Sequence, residues 1–206
     1  VHYAPHFSID VKDLNCDFML CSAYKFYGPH ISFLYSKPGV LQELNPDRLV
    51  VQDQEAPYII ETGTLNHAAC SGVSAAIDFI SSLGQGSTYR EKLESAYLQI
   101  SDHEFNLAKH LYESLEDFDK TTVIGPDFST RKRTPTVSFV HSEYSPQEVC
   151  ALLAKQNICA WDGHFYALKA IQQLGLESRG GVTRLGISLY NTRKEIDKVI
   201  EVIKSI

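Results

Sequence analysis

Apolar and polar positions run along this chain in two rhythms, one suited to strands and one to helices. Cys16-Asp17-Phe18-Met19-Leu20-Cys21-Ser22 is a nearly continuous apolar run, which predicts a strand covered on both faces in a largely parallel sheet. Ile31-Ser32-Phe33-Leu34-Tyr35 predicts a second strand, and the loop Ala23 to Pro29 between them closes on a Gly-Pro turn signal. A short helix follows near Gly39 to Leu44, then an irregular stretch through Glu61-Thr62-Gly63-Thr64. His67 to Leu83 is small and apolar enough for a buried helix, ended by Gly84-Gln85-Gly86-Ser87. Across residues 88–116, apolar side chains at Leu93, Tyr97, Ile100, Leu107, Leu111 and Leu115 alternate with charges at helical spacing, which predicts one long amphipathic helix.

Beyond Thr121 the rhythm changes. Strands are predicted over Thr122 to Ile124, Thr136 to Val140, Ile158 to Trp161 and Thr183 to Leu189. Helices are predicted over Pro146 to Gln156, Phe165 to Leu174 and Glu195 to Ile203. The alternation makes the chain α/β and places a small α/β domain from near residue 118, so the expected division is 1–117 and 118–206.

Composition narrows the function classes. With 44% hydrophobic and 11% aromatic residues over 206 positions, the chain can bury a sizeable core. Its net charge of −6 comes from 25 acidic against 19 basic residues, and the basic ones are scattered, so no nucleic-acid footprint is present. The short Arg131-Lys132-Arg133 cluster precedes an apolar run and reads as a solvated loop. Cys16, Cys21, Cys70, Cys150 and Cys159 show no CxxC spacing and mostly sit in apolar runs, as reduced, buried thiols of a cytoplasmic protein would. No segment approaches the roughly 18 apolar residues of a membrane helix, and no signal core opens the chain, so no membrane partner is expected. The start at Val1, without Met and running straight into His2-Tyr3-Ala4-Pro5-His6, reads as the middle of a domain and hence as a fragment.

Lys25 lies just past the carboxyl end of a predicted strand, where open α/β sheets collect ligands, and is flanked by Tyr24, Phe26 and Tyr27. A partly desolvated amine among aromatic rings is more often the free base that adds to an aldehyde. A loop lysine with its stem on aromatic rings would carry the same flanks. Arg184, in a strand-like run with Thr183, Leu185 and Ile187, needs a partner if buried: a substrate carboxylate held bidentately or a structural salt bridge.

Three segments in order bear a family resemblance. Asp17 to Pro29 resembles the cofactor-lysine segment of class V aminotransferases and cysteine desulfurases, in which a strand ends in Ser-x-His-Lys before an aromatic and Gly-Pro. Glu61-Thr62-Gly63-Thr64-Leu65-Asn66 is similar to that group's Glu-x-Gly-Thr-x-Asn. Arg184-Leu185-Gly186-Ile187-Ser188-Leu189-Tyr190-Asn191-Thr192 is similar to its Arg-x-Ser-x-x-x-Tyr-Asn-Thr, with Gly186 in place of the serine.

The resemblance implies the aspartate-aminotransferase-like type I fold, here the later part of a cofactor-binding large domain (1–117) and the small C-terminal domain (118–206). It implies pyridoxal 5′-phosphate (PLP) as cofactor, joined to Lys25 as a Schiff base, and an amino acid as the small-molecule substrate. Ser22 then falls where a hydroxyl donates to the cofactor phosphate, and Tyr24 where the family has a histidine. Thr64 falls on the threonine that reaches the phosphate of a neighbouring subunit, which implies a homodimer with shared sites, although a loop hydroxyl alone has no such duty. Arg184 falls on the arginine that binds the substrate α-carboxylate. His2 stands where a side chain bonds the cofactor's ring hydroxyl, and otherwise reads as polar surface; the aspartate for the pyridine nitrogen would lie upstream of Val1. A chain that keeps the fold and acts through protein contacts is the alternative.

Cysteine desulfurases carry a mobile thiol in Gly-His-His-Cys; the corresponding stretch here is Gly163-His164-Phe165-Tyr166. A phenol, with a pKa of about 10, is mostly protonated at neutral pH and holds no transferable sulfur. Cys159, the nearest thiol, is predicted to lie in a strand and point into the core. The resemblance therefore implies a desulfurase-like enzyme lacking the desulfurase cysteine, with Tyr166 lining the substrate pocket or ordering its loop.

Overall fold

The computed structural model describes residues 1–129 and 133–206; Arg131 and Lys132 of the basic cluster lie outside the described residues. The chain divides into two compact units, Val1–Gln99 and Ile100–Ile206. The first holds α1 (Val11–Leu14), β1 (Phe18–Ser22), β2 (Ser32–Ser36), α2 (Val40–Glu43), α3 (His67–Ser82) and the start of α4 (Tyr89–Glu116). The second holds the rest of α4, β3 (Thr121–Ile124), β4 (Thr136–His141), α5 (Pro146–Ala154), β5 (Trp161–Gly163), α6 (Leu168–Gln173), β6 (Val182–Gly186) and α7 (Arg193–Lys204).

In the first unit, β1 and β2 pair antiparallel, with Phe18 opposite Ser36 and Ser22 opposite Ser32. The expected parallel, doubly covered strand is thereby corrected. A parallel neighbour needs a crossover of a dozen or more residues, and the link from Ala23 to Ile31 is too short for one. Cover is partial as well: Cys21 is buried, whereas Phe18 and Leu20 are 40% and 64% exposed. Helix α3 likewise buries Ala69, Ala76, Ile80 and Ser81 and leaves Phe79 at the surface, so it is not the fully buried helix its composition predicts. An apolar run states how much an element is able to bury; neighbours in space decide how much it does. The turn after β1 is tight because the Gly28 amide donates to the Ala23 carbonyl at 2.9 Å. Two glycines permit this packing: a Cβ on Gly28 would meet Ala23 Cβ at 2.9 Å, and one on Gly72 of α3 would meet Pro29 Cγ at 3.0 Å.

The second unit is built on a four-stranded antiparallel sheet in the order β3-β4-β6-β5. Strand β4 alternates strictly, with Val137, Phe139 and His141 inward. Onto that inner face pack Leu107, Leu111 and Leu115 of α4, Val149 and Leu153 of α5, and Ile196, Val199, Ile200 and Ile203 of α7. The boundary of the two compact units lies within α4, and the later apolar positions of that helix belong to the core of the second unit.

Helix starts follow capping chemistry. The Asn66 side chain accepts from the Ala69 amide to cap α3, while Ser145 with Glu148, and Thr192 with Glu195, form capping boxes on α5 and α7. The Thr192 backbone amide and hydroxyl hold the Glu195 carboxyl below its ordinary range. The α7 box is thus complete at neutral pH and lost as pH falls through that depressed value.

Two elements shift from expectation. Strand β5 begins at Trp161, so Cys159 precedes it and is exposed rather than turned into the core. Helix α6 begins at Leu168, after a turn at Phe165 and Tyr166. The thiols, all free, are less buried than predicted: Cys21 is buried, Cys16 and Cys150 are half-buried, and Cys70 and Cys159 are exposed. Among the described residues no helix is long and apolar enough to cross a membrane.

Leu115, with no exposed surface, joins α4 to the sheet. Leu115→Ala is expected to destabilise the full-length protein by about 2–5 kcal/mol, and Thr192→Ala by about 1 kcal/mol through the lost cap. Urea unfolding measures both; a Leu115→Ala midpoint equal to wild type would remove this seam from the core.

Candidate active site

Two clusters carry the chemistry, one in each unit. In the first, β1 ends at Ser22 and the chain turns through a single 3-10 turn, Ala23–Phe26, that buries Ala23 and Phe26 and leaves Tyr24 and Lys25 facing outward. Lys25 is half-buried, and its Nζ donates to His2 Nε2 at 3.2 Å and lies 5.6 Å from the centre of the Tyr24 ring. The strand register sets Ser22 against Ser32, and their hydroxyls share a hydrogen bond of 3.1 Å. Tyr24 stacks on His30, 4.8 Å between centres and 13° from parallel. The structure brings His2 and Tyr24 to Lys25, and sets Ser32 beside Ser22 and His30 beside Tyr24, two neighbours that sequence reasoning missed. His30 directly follows the Gly-Pro signal and Ser32 opens the second strand; only the hairpin brings them beside Tyr24 and Ser22. Thr64 lies apart from this cluster's bonds, in the exposed loop before the Asn66 cap.

This donor set suits a phosphorylated aldehyde. A lysine amine reachable from solvent, a pair of adjoining hydroxyls and an imidazole supply, in turn, the group that bonds the aldehyde carbon, phosphate donors and a partner for a ring hydroxyl.

In the second unit, Arg184 occupies the middle of β6, between Ser138 of β4 and Trp161 of β5. Strand alternation turns it away from the face that carries Leu185 into the core. Its guanidinium carbon lies 3.9 Å from the centre of the Phe165 ring, over the ring face. Among the described residues no carboxylate pairs with it. Burial pulls its pKa below the ordinary arginine value, though guanidinium stays charged in proteins. The salt-bridge alternative for Arg184 therefore finds no partner among the described residues.

Phe165 and Tyr166 are the two central residues of a turn closed by the Ala167 amide donating to the His164 carbonyl at 2.7 Å. Both are left-handed, with φ of 50° and 62°. Such turns favour Gly, Asn or Asp; placing a bulky L-residue there costs about 1–2 kcal/mol each. The Tyr166 amide donates to His164 Nδ1 at 3.1 Å, while its ring stands 99% exposed. The ring stands edge-on to His164, 6.3 Å between centres, and the turn is closed by the backbone bonds. Gly186, on the same side of β6 as Arg184, has open space where a Cβ would stand. Phe165 is the second site residue that sequence reasoning missed, since helical periodicity absorbed it into the predicted element over Phe165 to Leu174. The signal available was its place two residues after Gly163 in the Gly-His-Phe-Tyr stretch.

The remaining residues of the third motif have structural duties. Asn191 Oδ1 accepts from the Ser188 amide at 2.9 Å, the His103 ring donates to the Asn191 carbonyl at 2.9 Å, and Thr192 caps α7.

The fold is that of type I PLP proteins: the cysteine desulfurase of Thermococcus onnurineus NA1 superposes with a TM-score of 0.81 over 98% of this chain and 50% of its own, at 24% identity. Residues 1–199 match the family of class-V aminotransferases, and the chain belongs to that family. It is 33% identical, over its whole length, to an aminotransferase-like protein, FGM3, of Gibberella zeae, and 31% identical over 94% of its length to a probable cysteine desulfurase of Halalkalibacterium halodurans. The chain spans 50% and 46% of those two proteins, about half of each. Pyridoxal 5′-phosphate is the cofactor that family membership assigns to it.

Because residue 166 needs a left-handed backbone and its ring packs on little, Tyr166→Gly is expected to raise the stability of the full-length protein by about 1 kcal/mol. Thermal unfolding measures it; an unchanged or lower midpoint would mean that the ring holds contacts worth more than the backbone strain.

Proposed function

We propose that the whole protein is a PLP-dependent enzyme acting on an amino acid, desulfurase-like in build and without efficient cysteine desulfurase activity. The observation that supports this reading is the Lys25 amine at the turn after β1, hydrogen-bonded to His2 and beside the Tyr24 ring. When bound, the cofactor supplies an electron sink for bonds at the substrate Cα. Lys25 holds the cofactor covalently and afterwards moves a proton at Cα as general base and acid. The Ser22 hydroxyl donates to the phosphate, the Tyr24 phenol replaces the family histidine beside it, and His2 bonds the ring hydroxyl. Thr64 donates to the phosphate of a second subunit, which makes the working form a homodimer. Arg184 receives the α-carboxylate with two parallel N–H bonds, and Tyr166 borders the substrate. Residues 1–117 belong to the large, cofactor-binding domain and 118–206 to the small one, and five free thiols fit a cytoplasmic protein.

The loss of desulfurase activity rests on position and chemistry. Tyr166 stands where the thiol would be. Cys159, although exposed, borders a cavity of about 450 Å³ walled by Leu185 and Ile187, which face the core. Arg184 points to the opposite side of β6. A persulfide on Cys159 would form away from the substrate that Arg184 holds.

In the full-length protein, PLP is expected to give a visible absorbance band that Lys25→Ala abolishes. Full-length protein that takes up no PLP would leave the fold as a scaffold for protein contacts. Incubated with L-cysteine, the loaded protein is expected to release alanine and sulfide far below the usual enzymic turnover of about 1–1000 per second. Turnover within that range, abolished by Cys159→Ser, would restore the desulfurase assignment and make Cys159 the nucleophile.

A further inference from the structure

We infer that Phe165 is a positioning residue for the carboxylate site: its ring holds the Arg184 guanidinium by one face, so that the coplanar N–H edges stay open to the substrate. This rests on the proposed role of Arg184. Three observations converge on it. The guanidinium carbon stands 3.9 Å from the ring centre, close enough for full face-on contact. No carboxylate neutralises Arg184 among the described residues, so an aromatic ring is what orients it. The backbone at Phe165 and Tyr166 is held left-handed, and strained aromatic positions persist where the surroundings over-determine them and cluster at ligand sites.

The physical logic separates orientation from neutralisation. An acidic partner would fix the arginine equally well, but it would occupy the same in-plane donors that a carboxylate ligand needs. A ring occupies the face and leaves all five N–H groups and the whole positive charge for the ligand. It also removes rotamer freedom from a long side chain before the substrate arrives, so that less ordering accompanies binding. Within the β6 register, Ser138 and Trp161 flank Arg184 on neighbouring strands, and the turn at 164–167 brings Phe165 over the remaining side.

The test uses the full-length, PLP-loaded protein titrated with L-alanine and, in parallel, with ethylamine, which is alanine without the carboxylate. Visible absorbance reads the dissociation constants. Phe165→Leu is expected to weaken L-alanine about tenfold while leaving the ethylamine constant and the PLP content at wild-type values. Phe165→Trp, which keeps a ring face, is expected to bind L-alanine as the wild type does. Arg184→Ala, run alongside, is expected to lose the preference for L-alanine over ethylamine. If Arg184→Ala loses that preference and Phe165→Leu does not, the positioning role is overturned and the carboxylate role stands. If Phe165→Leu loses PLP or weakens both ligands alike, or if Phe165→Trp is as impaired as Phe165→Leu, the ring is merely structural and the inference fails. A wild type that holds L-alanine no more tightly than ethylamine overturns the carboxylate site itself.

Discussion

The seam between the long helix α4 and the inner face of the second sheet is the contact on which the arginine side of the molecule depends. Leu107, Leu111 and Leu115 meet Val137 and Phe139, and α5 and α7 close over the same face. Because side chains alternate along a strand, committing Leu185 to that core turns Arg184 to the other side. The hydrophobic layer thereby settles, without any polar contact, where the charge emerges. The same alternation sets Gly186 on the Arg184 side of β6, with open space where a Cβ would stand.

A different constraint governs the lysine. A nine-residue link cannot cross over, so the strand before Lys25 folds back as a hairpin, and the hairpin register sets Ser22 against Ser32. Close approach at Gly28 and Gly72 then presses the turn onto α3. With Ala23 and Phe26 anchored inward, the two residues between them have no inward place left, and Tyr24 and Lys25 face out together. The Tyr24 ring is exposed and Lys25 half-buried because the neighbours on either side are buried.

The two clusters handle charge in opposite ways. Lys25 donates to an imidazole, His2, that accepts without carrying negative charge, and Arg184 rests on a ring. Neither cation is neutralised by a carboxylate among the described residues. Around both clusters, surface ion pairs such as Arg90 with Glu94 and Lys109 with Glu113 are exposed helix pairs of small weight.

Much was legible in the sequence alone. The long helix, the α/β alternation beyond Thr121, the capped start of α7 and the lysine turn all rest on local signals: periodicity, Ser or Thr followed by Glu, and a Gly-Pro stop. Three ordered motifs gave away the family, and with it the residues His2, Ser22, Tyr24, Lys25, Thr64, Tyr166 and Arg184. What local pattern cannot contain is which surface meets which. Burial of Cys159 and Cys70, cover of β1 and α3, and the direction of β1 against β2 were misjudged for that reason, since composition measures the capacity to bury and not the presence of a neighbour. His30, Ser32 and Phe165 stayed hidden because their partners, Tyr24, Ser22 and Arg184, reach them only through a hairpin or a left-handed turn. The turn at Phe165 and Tyr166 was the hardest to foresee: neither residue favours that conformation, and the hydrogen bonds to the His164 carbonyl and ring, with Arg184 stacked on Phe165, hold the backbone there.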